Sequence, residues 1–171
     1  MNNLSKKALI VIDVQNDYLP DGKVPLLNVE DTITKIVSAI DEANKQNIPV
    51  ILIQHIANDD APMFHENSHG VKIHPRILQA APKAKTIIKA FADSFEKTDL
   101  NETLEQMGIS ELLICGMMTQ NCVTHTAISK QAEKYEVSIL ADCCTTTDAL
   151  THNLALHAIS TRIPLIELEQ M

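Results

Sequence analysis

Tryptophan is absent, and phenylalanine and tyrosine together make up only 3% of the 171 residues. Any core must therefore be aliphatic, packed from Ile, Leu, Val and Ala rather than from rings. Positive charge is also scarce, with 14 Lys and Arg against 22 Asp and Glu and a net charge of -8. Nucleic-acid binding draws on clustered basic side chains, so that class of partner is excluded. No apolar run approaches the ~18 residues that a membrane span needs, which argues against a membrane partner. The apolar run that follows Lys6 and Lys7 stops at Asp13, short of the roughly 7–15 residues of a signal-peptide core. It reads better as a first buried strand. The four cysteines (Cys115, Cys122, Cys143, Cys144) lack zinc-ligand spacing, and Cys143 and Cys144 are adjacent. A disulfide framework is not expected, and a reducing cytoplasm is the expected location. Repeats, low-complexity tracts and linkers are missing too, so one domain is expected over residues 1–171.

What is present is an alternation of short apolar runs and helical patterns. Strands are expected at 8–14, 49–55, 86–91, 111–116, 137–142 and, more weakly, 163–168. Residues 30–46 place Ile33, Ile36, Val37, Ile40 and Ala43 at helical spacing. Further helices are expected at 99–108, 120–134 and 148–161, the last with Leu150, Leu154, His157 and Ala158 on one stripe. Asp99 and Glu102 suggest an acidic capping box, and Gly108 a helix stop. Strands that are apolar throughout are buried on both faces, so the expected fold is a doubly wound α/β protein, a three-layer sandwich around a parallel sheet. Residues 56–85 carry little periodicity but three prolines, one glycine and three histidines. A segment of that length without clear elements is usually functional.

Parallel sheets put chemistry at the carboxyl ends of their strands. Asp13 follows the first strand, Lys89 lies at the end of the third, and Cys122 comes just past the fourth, where ELLICG runs through MMTQN into a helical pattern. Individually these are a turn aspartate, a strand-end lysine and a small buried cysteine. Together they form a nucleophile set: a carboxylate to take the thiol proton and an ammonium to hold two negative groups together. A helix N-terminus at Cys122 and the Lys89 charge are both expected to favour the thiolate.

The segments ALIVIDVQNDYL (8–19), TIIKAFADSFEKTDLNETL (86–104), LLICGMMTQNCVTHTAISKQA (112–132) and ILADCCTTTD (139–148) carry a specific resemblance. The chain resembles the isochorismatase-like cysteine hydrolases, a family that includes nicotinamidases and N-carbamoylsarcosine amidases. That resemblance implies a six-stranded parallel sheet of order 3-2-1-4-5-6 and a catalytic triad of Asp13, Lys89 and Cys122. It also implies a cis peptide between Met117 and Met118, with the amides of Met118 and Cys122 forming an oxyanion hole, and assembly into a homo-oligomer. The substrate is then a small molecule, and its candidate contacts are Gln15, Asn16 and Tyr18 after the first strand and Phe64, His65 and His69 in the 56–85 segment.

The chain departs from the nicotinamidases in that segment. Those enzymes hold a metal through Asp-x-His after the second strand, whereas this strand ends Gln54-His55-Ile56 and no Asp-x-His occurs. Asp59, Asp60, His65, His69 and His74 have no tight ligand spacing, so no metal and no other cofactor is expected. The leading expectation is a cysteine hydrolase of a small amide, carbamoyl or related acyl compound. The alternatives are an isochorismatase cleaving a vinyl ether with Asp13 as acid, and a redox thiol protein of the same fold using Cys122, Cys143 and Cys144.

Overall fold

The apolar runs become the strands of one sheet in the computed structural model, which describes residues 6–58 and 60–171. They are β1 (Lys7–Ile12), β2 (Val50–His55), β3 (Lys85–Lys89), β4 (Glu111–Met117), β5 (Glu136–Thr145) and β6 (Leu165–Ile166). All pair in parallel, in the order β3-β2-β1-β4-β5-β6. The helices of a three-layer sandwich surround it: α1 (Val29–Lys45), α2 (Pro75–Ala80), α3 (Leu100–Gln106), α4 (Thr124–Ala127) and α5 (Ala149–Ile159). The central strands are buried over almost their whole length, and the largest fully buried side chains besides Tyr18, Phe64, Phe95 and Lys89 are aliphatic. Helix α1 turns Ile33, Ile36, Ile40 and Ala43 inward and its charged residues outward, so its amphipathic stripe anchors one face of the sheet.

Strand order reverses between β1 and β4. Ligand crevices in doubly wound sheets open at the carboxyl ends beside such a reversal. There Ile12 lies opposite Gly116, and the backbones approach closely. Gly116 has φ +122°, and a Cβ on it would sit 2.1 Å from the Ile12 carbonyl oxygen. Only glycine satisfies both conditions.

Several elements differ from their sequence-based expectations. Asp99 does not cap α3 through its side chain; its carboxylate pairs with Lys85 Nζ at 2.7 Å instead, so no capping box forms. The helix expected at 120–134 divides into a π-helical turn over Thr119–Val123, the single turn of α4, and a 3-10 turn over Lys130–Lys134. Ser129 starts that last turn by accepting a hydrogen bond from the Gln131 amide. Strand β5 runs longer than expected because it bulges. Ile114 pairs with Ile139 but Gly116 pairs with Cys144, so extra residues, Cys143 among them, are taken up between the two pairs. Finally, the apolar stripe of α5 faces outward: Leu150 is 70% and Leu154 59% exposed.

Candidate active site

The ends of four neighbouring strands deliver one row of functional side chains. Parallel register sets His55 on β2 directly beside Lys89 on β3. Asp13 follows β1 with φ +52°, held by its amide bonding to the Ile53 carbonyl at 3.1 Å. Cys122 lies in the π-helical turn just past β4. Lys89 Nζ reaches across to Asp13 Oδ2 at 2.8 Å, and one ligand-capable atom each of Asp13, His55 and Cys122 lie within 4.8 Å of one another. Lys89 Nζ also donates to the carbonyls of Phe91 at 3.0 Å and Ala92 at 3.4 Å, and lies 3.2 Å from His55 Nδ1. Two hydroxyls hold the segment after β3 to α4, since Thr126 Oγ1 donates to Ser94 Oγ and accepts from the Ser94 amide. On the other side, Thr119 Oγ1 and His152 Nδ1 tie the Cys122 turn to α5 at 2.9 Å.

Asp13, Lys89 and Cys122 are all buried. Burial by itself lowers the Lys89 ammonium, but the Asp13 carboxylate and the neighbouring Cys122 sulfur outweigh it and raise the ammonium above the ordinary lysine value. For Cys122 the structure reverses the expected direction. Burial, then the Asp13 carboxylate, push the thiol up to about 12, and Lys89 offsets only part of this. The turn's N-terminal position does not produce a resting thiolate. Cys122 rests as a thiol, and the nearest buried base is the Asp13 carboxylate, neither of whose oxygens receives a well-aligned hydrogen bond from the described residues.

Burial raises the other three thiols as well, with Cys144 at about 12. Above about pH 9 the unfolded chain therefore loses thiol protons that the folded chain keeps, and stability must fall as pH rises toward 12. Each such thiol contributes up to about 1.4 kcal/mol per pH unit. Under reducing conditions the urea midpoint should drop between pH 9 and 11, and Cys115→Ala should flatten the slope. A midpoint independent of pH over that range would contradict the burial of these thiols.

The candidate substrate contacts divide into groups. Tyr18 is buried, and its hydroxyl is pushed far above its usual range, first by burial and then by the charges of Asp13, Cys122 and Asp17; it borders the site. Phe64 meets Tyr18 edge-to-face at 5.0 Å and lies 5.6 Å from the His55 ring. The Gln15 amide is fully engaged elsewhere: it accepts from the His55 amide and donates to the His55 and Val71 carbonyls. Asn16 and His69 line a cavity of about 550 Å³ with Gln54, Thr86 and Ile88. Side chains alternate between sheet faces, so Gln54 and Ile88 point away from the face carrying His55 and Lys89. That cavity is separate from the thiol. His65 is half-buried and bridges to Ala57.

The 56–85 segment is fastened down rather than loose. Asp17 Oδ2 accepts the Phe64 amide at 2.7 Å, and the amides of Asn16, Asp17 and His74 bond across to Lys72, Gly70 and Val14. A Cβ on Gly70 would strike the Asp17 carboxylate at 1.9 Å. Sequence reasoning assigns no role to Asp17 or His55. The available signal for His55 was its place at the end of β2, on the same face as Lys89.

Among the described residues, His65, His69, His74 and Asp60 do not gather into a ligand group; Asp59 lies outside those residues. The group that does gather, Asp13, His55 and Cys122, already surrounds the Lys89 ammonium, so this donor set does not fit a resident metal.

A model of the isochorismatase domain matches residues 7–170. The chain belongs to the isochorismatase family. The isochorismatase family protein YddQ of Bacillus subtilis is 38% identical over 141 residues, covering 82% of this chain and 78% of that protein. The nicotinamidase of Escherichia coli is 25% identical over 175 residues, covering 81% and 82%. In fold, the pyrazinamidase of Pyrococcus horikoshii, solved in complex with zinc, superposes with a TM-score of 0.84 at 24% identity, covering 95% of this chain and 99% of that one. The family is one of hydrolases, and its members include amidases. No helix among the described residues is long and apolar enough to cross a membrane.

Proposed function

We propose that the chain hydrolyses a small carboxamide, carbamoyl or related acyl compound through a thioester on Cys122. The observation that carries this reading is the buried meeting of Asp13, Lys89 and Cys122 from three separate strand ends. Asp13 takes the Sγ proton as sulfur attacks the carbonyl carbon, and passes it to the departing amine. Asp13 then draws a proton from water, whose oxygen adds to the thioester; collapse releases the acid and returns the proton to sulfur. Lys89 stays protonated throughout and offsets the negative charge shared by carboxylate and sulfur. The amides of Met118 and Cys122 are the proposed oxyanion donors, next to the Met117–Met118 peptide, which is cis. Tyr18 and Phe64 are the proposed walls of the acyl pocket, and neither a metal nor another cofactor takes part.

The test is a panel of small amides and carbamoyl compounds assayed for ammonia release, with Cys122→Ala in parallel. Turnover of at least one compound, lost in the variant, is expected. Undiminished turnover by Cys122→Ala would favour the vinyl-ether chemistry of an isochorismatase with Asp13 as acid. Reversible oxidation of Cys122 without turnover would favour a redox protein. The four cysteines are free and buried, which suits the reducing cytoplasm proposed as its location.

A homo-oligomer is part of the same proposal. Helix α5 carries no Lys, Arg, Asp or Glu, yet of its eleven residues only Ile159 is buried. A helix with an apolar face and no charge is ordinarily covered, and interface cores are depleted in charge. A second copy of the chain is the proposed cover, next to the turn that holds Cys122. Light scattering should give a mass of two or more chains, reduced to one by Leu150→Glu with Leu154→Glu; a monodisperse wild-type monomer would refute it.

A further inference from the structure

We infer that His55 is a positioning residue for the proposed hydrolysis, its imidazole Nδ1 accepting from Lys89 and so holding the ammonium against Asp13. The inference rests on the reading of Cys122 as nucleophile, but its geometry stands apart from it. Across the carboxyl ends of the strands the order is Lys89, His55, Asp13, Cys122, so the strand of His55 lies between those of Lys89 and Asp13 and its ring flanks the ion pair. Lys89 Nζ has three protons to give. Asp13 Oδ2 at 2.8 Å is its ion-pair partner, the Cys122 sulfur is a further neighbour, the carbonyls of Phe91 and Ala92 accept from it, and His55 Nδ1 at 3.2 Å is the acceptor on the adjoining strand.

An ammonium donates only, so Nδ1 must be unprotonated and the ring proton resides on Nε2. Asp13 Oδ2 lies 3.8 Å from the same nitrogen, too far for a hydrogen bond; the carboxylate therefore keeps its lone pairs for the thiol. The groups facing the ring are Asp13 from the end of β1, Lys89 from β3, Cys122 from the turn after β4, and Phe64 from the 56–85 segment. The position is also built from behind. Gln15 accepts from the His55 amide and donates to the His55 carbonyl, both at 2.8 Å, which fixes the backbone that aims the ring. Of the four side chains, Asp13, Lys89 and Cys122 are closed to solvent, while the His55 side chain is 18% exposed. It lies at the solvent side of the cluster, where a mobile lysine would otherwise find water.

Two variants separate this role from packing against Phe64. His55→Asn offers Oδ1 where Nδ1 stood, whereas His55→Leu fills the space and accepts nothing. On the best amide of the panel, His55→Leu should lose about tenfold or more in kcat with KM little changed, as expected of misplaced catalytic groups. Its Cys122 should also react more slowly with iodoacetamide at fixed pH, because the lysine that favours the thiolate has moved. His55→Asn should recover most of both. Equal kcat and equal thiol reactivity in the two variants would overturn the inference. Should His55→Leu fail to fold, nitrogen NMR of the wild-type imidazole decides alone: a proton on Nε2 supports the assignment and a proton on Nδ1 refutes it. If instead Cys122→Ala keeps full turnover, the hydrolase reading falls while the tautomer measurement still reports on the His55–Lys89 contact.

Discussion

Asp13→Asn should lower turnover at least ~10²-fold, the scale of losing a general base, beyond whatever stability is lost by leaving the buried Lys89 ammonium without its partner. Asparagine is the informative replacement because residue 13 sits at φ +52°, a conformation that Asn tolerates and most other side chains resist. It preserves shape and removes only the basic lone pair and the charge. With the thiol held at about 12, little thiolate exists at neutral pH without a base beside it, so both halves of the reaction should slow. Removing the carboxylate also lifts a negative charge that pushes Cys122 upward, so the variant's thiol should titrate lower even as turnover falls. That opposite movement distinguishes a lost base from a damaged fold. Near-normal turnover in Asp13→Asn would remove Asp13 from the mechanism.

Lys89→Met should be damaging in two separable ways. Breaking a buried ion pair by removing one partner strands the other charge and typically costs about 3–5 kcal/mol; here the stranded group is Asp13, closed to solvent. Thermal and urea unfolding should show that loss near neutral pH. Lys89 also acts downward on the Cys122 thiol, against burial and Asp13, so without it the thiol should rise further and activity should shift to higher pH. Combining Lys89→Met with Asp13→Asn leaves no buried charge and should recover much of the stability but none of the turnover. Wild-type unfolding and wild-type thiol titration in Lys89→Met would mean that the lysine neither supports the fold nor touches the chemistry.

The residues that were legible in advance are those whose physics is local. Runs such as ALIVI and LLIC announce strands buried on both faces, and the alternation with helical patterns yields the doubly wound sheet. Asp13, Lys89 and Cys122 stand at strand ends, where such sheets gather function. What failed depended on partners distant in sequence. Asp99 has the composition of a cap but finds Lys85 on β3. Gln15 looks like a free polar group beside the crevice, yet its amide is consumed by the backbones of His55 and Val71. The sequence points the thiol the wrong way because a helix start and a lysine are visible in it, whereas the depth of burial is not. His55 is hidden in the sequence for a related reason. Its meaning comes from the register that sets it beside Lys89, and register is a property of the assembled sheet. The stripe of Leu150 and Leu154 shows a converse problem: periodicity reveals one apolar face but not whether the fold or another molecule covers it.

The most direct measurement is rapid-quench mass analysis of a single turnover with whichever amide the panel yields. The proposed mechanism predicts a transient adduct equal to the acyl fragment, formed as ammonia leaves, decaying with appearance of the acid, and mapping to the peptide that contains Cys122. An adduct on Asp13 or Lys89, or acid formed at the full rate with no adduct at any time, would contradict it.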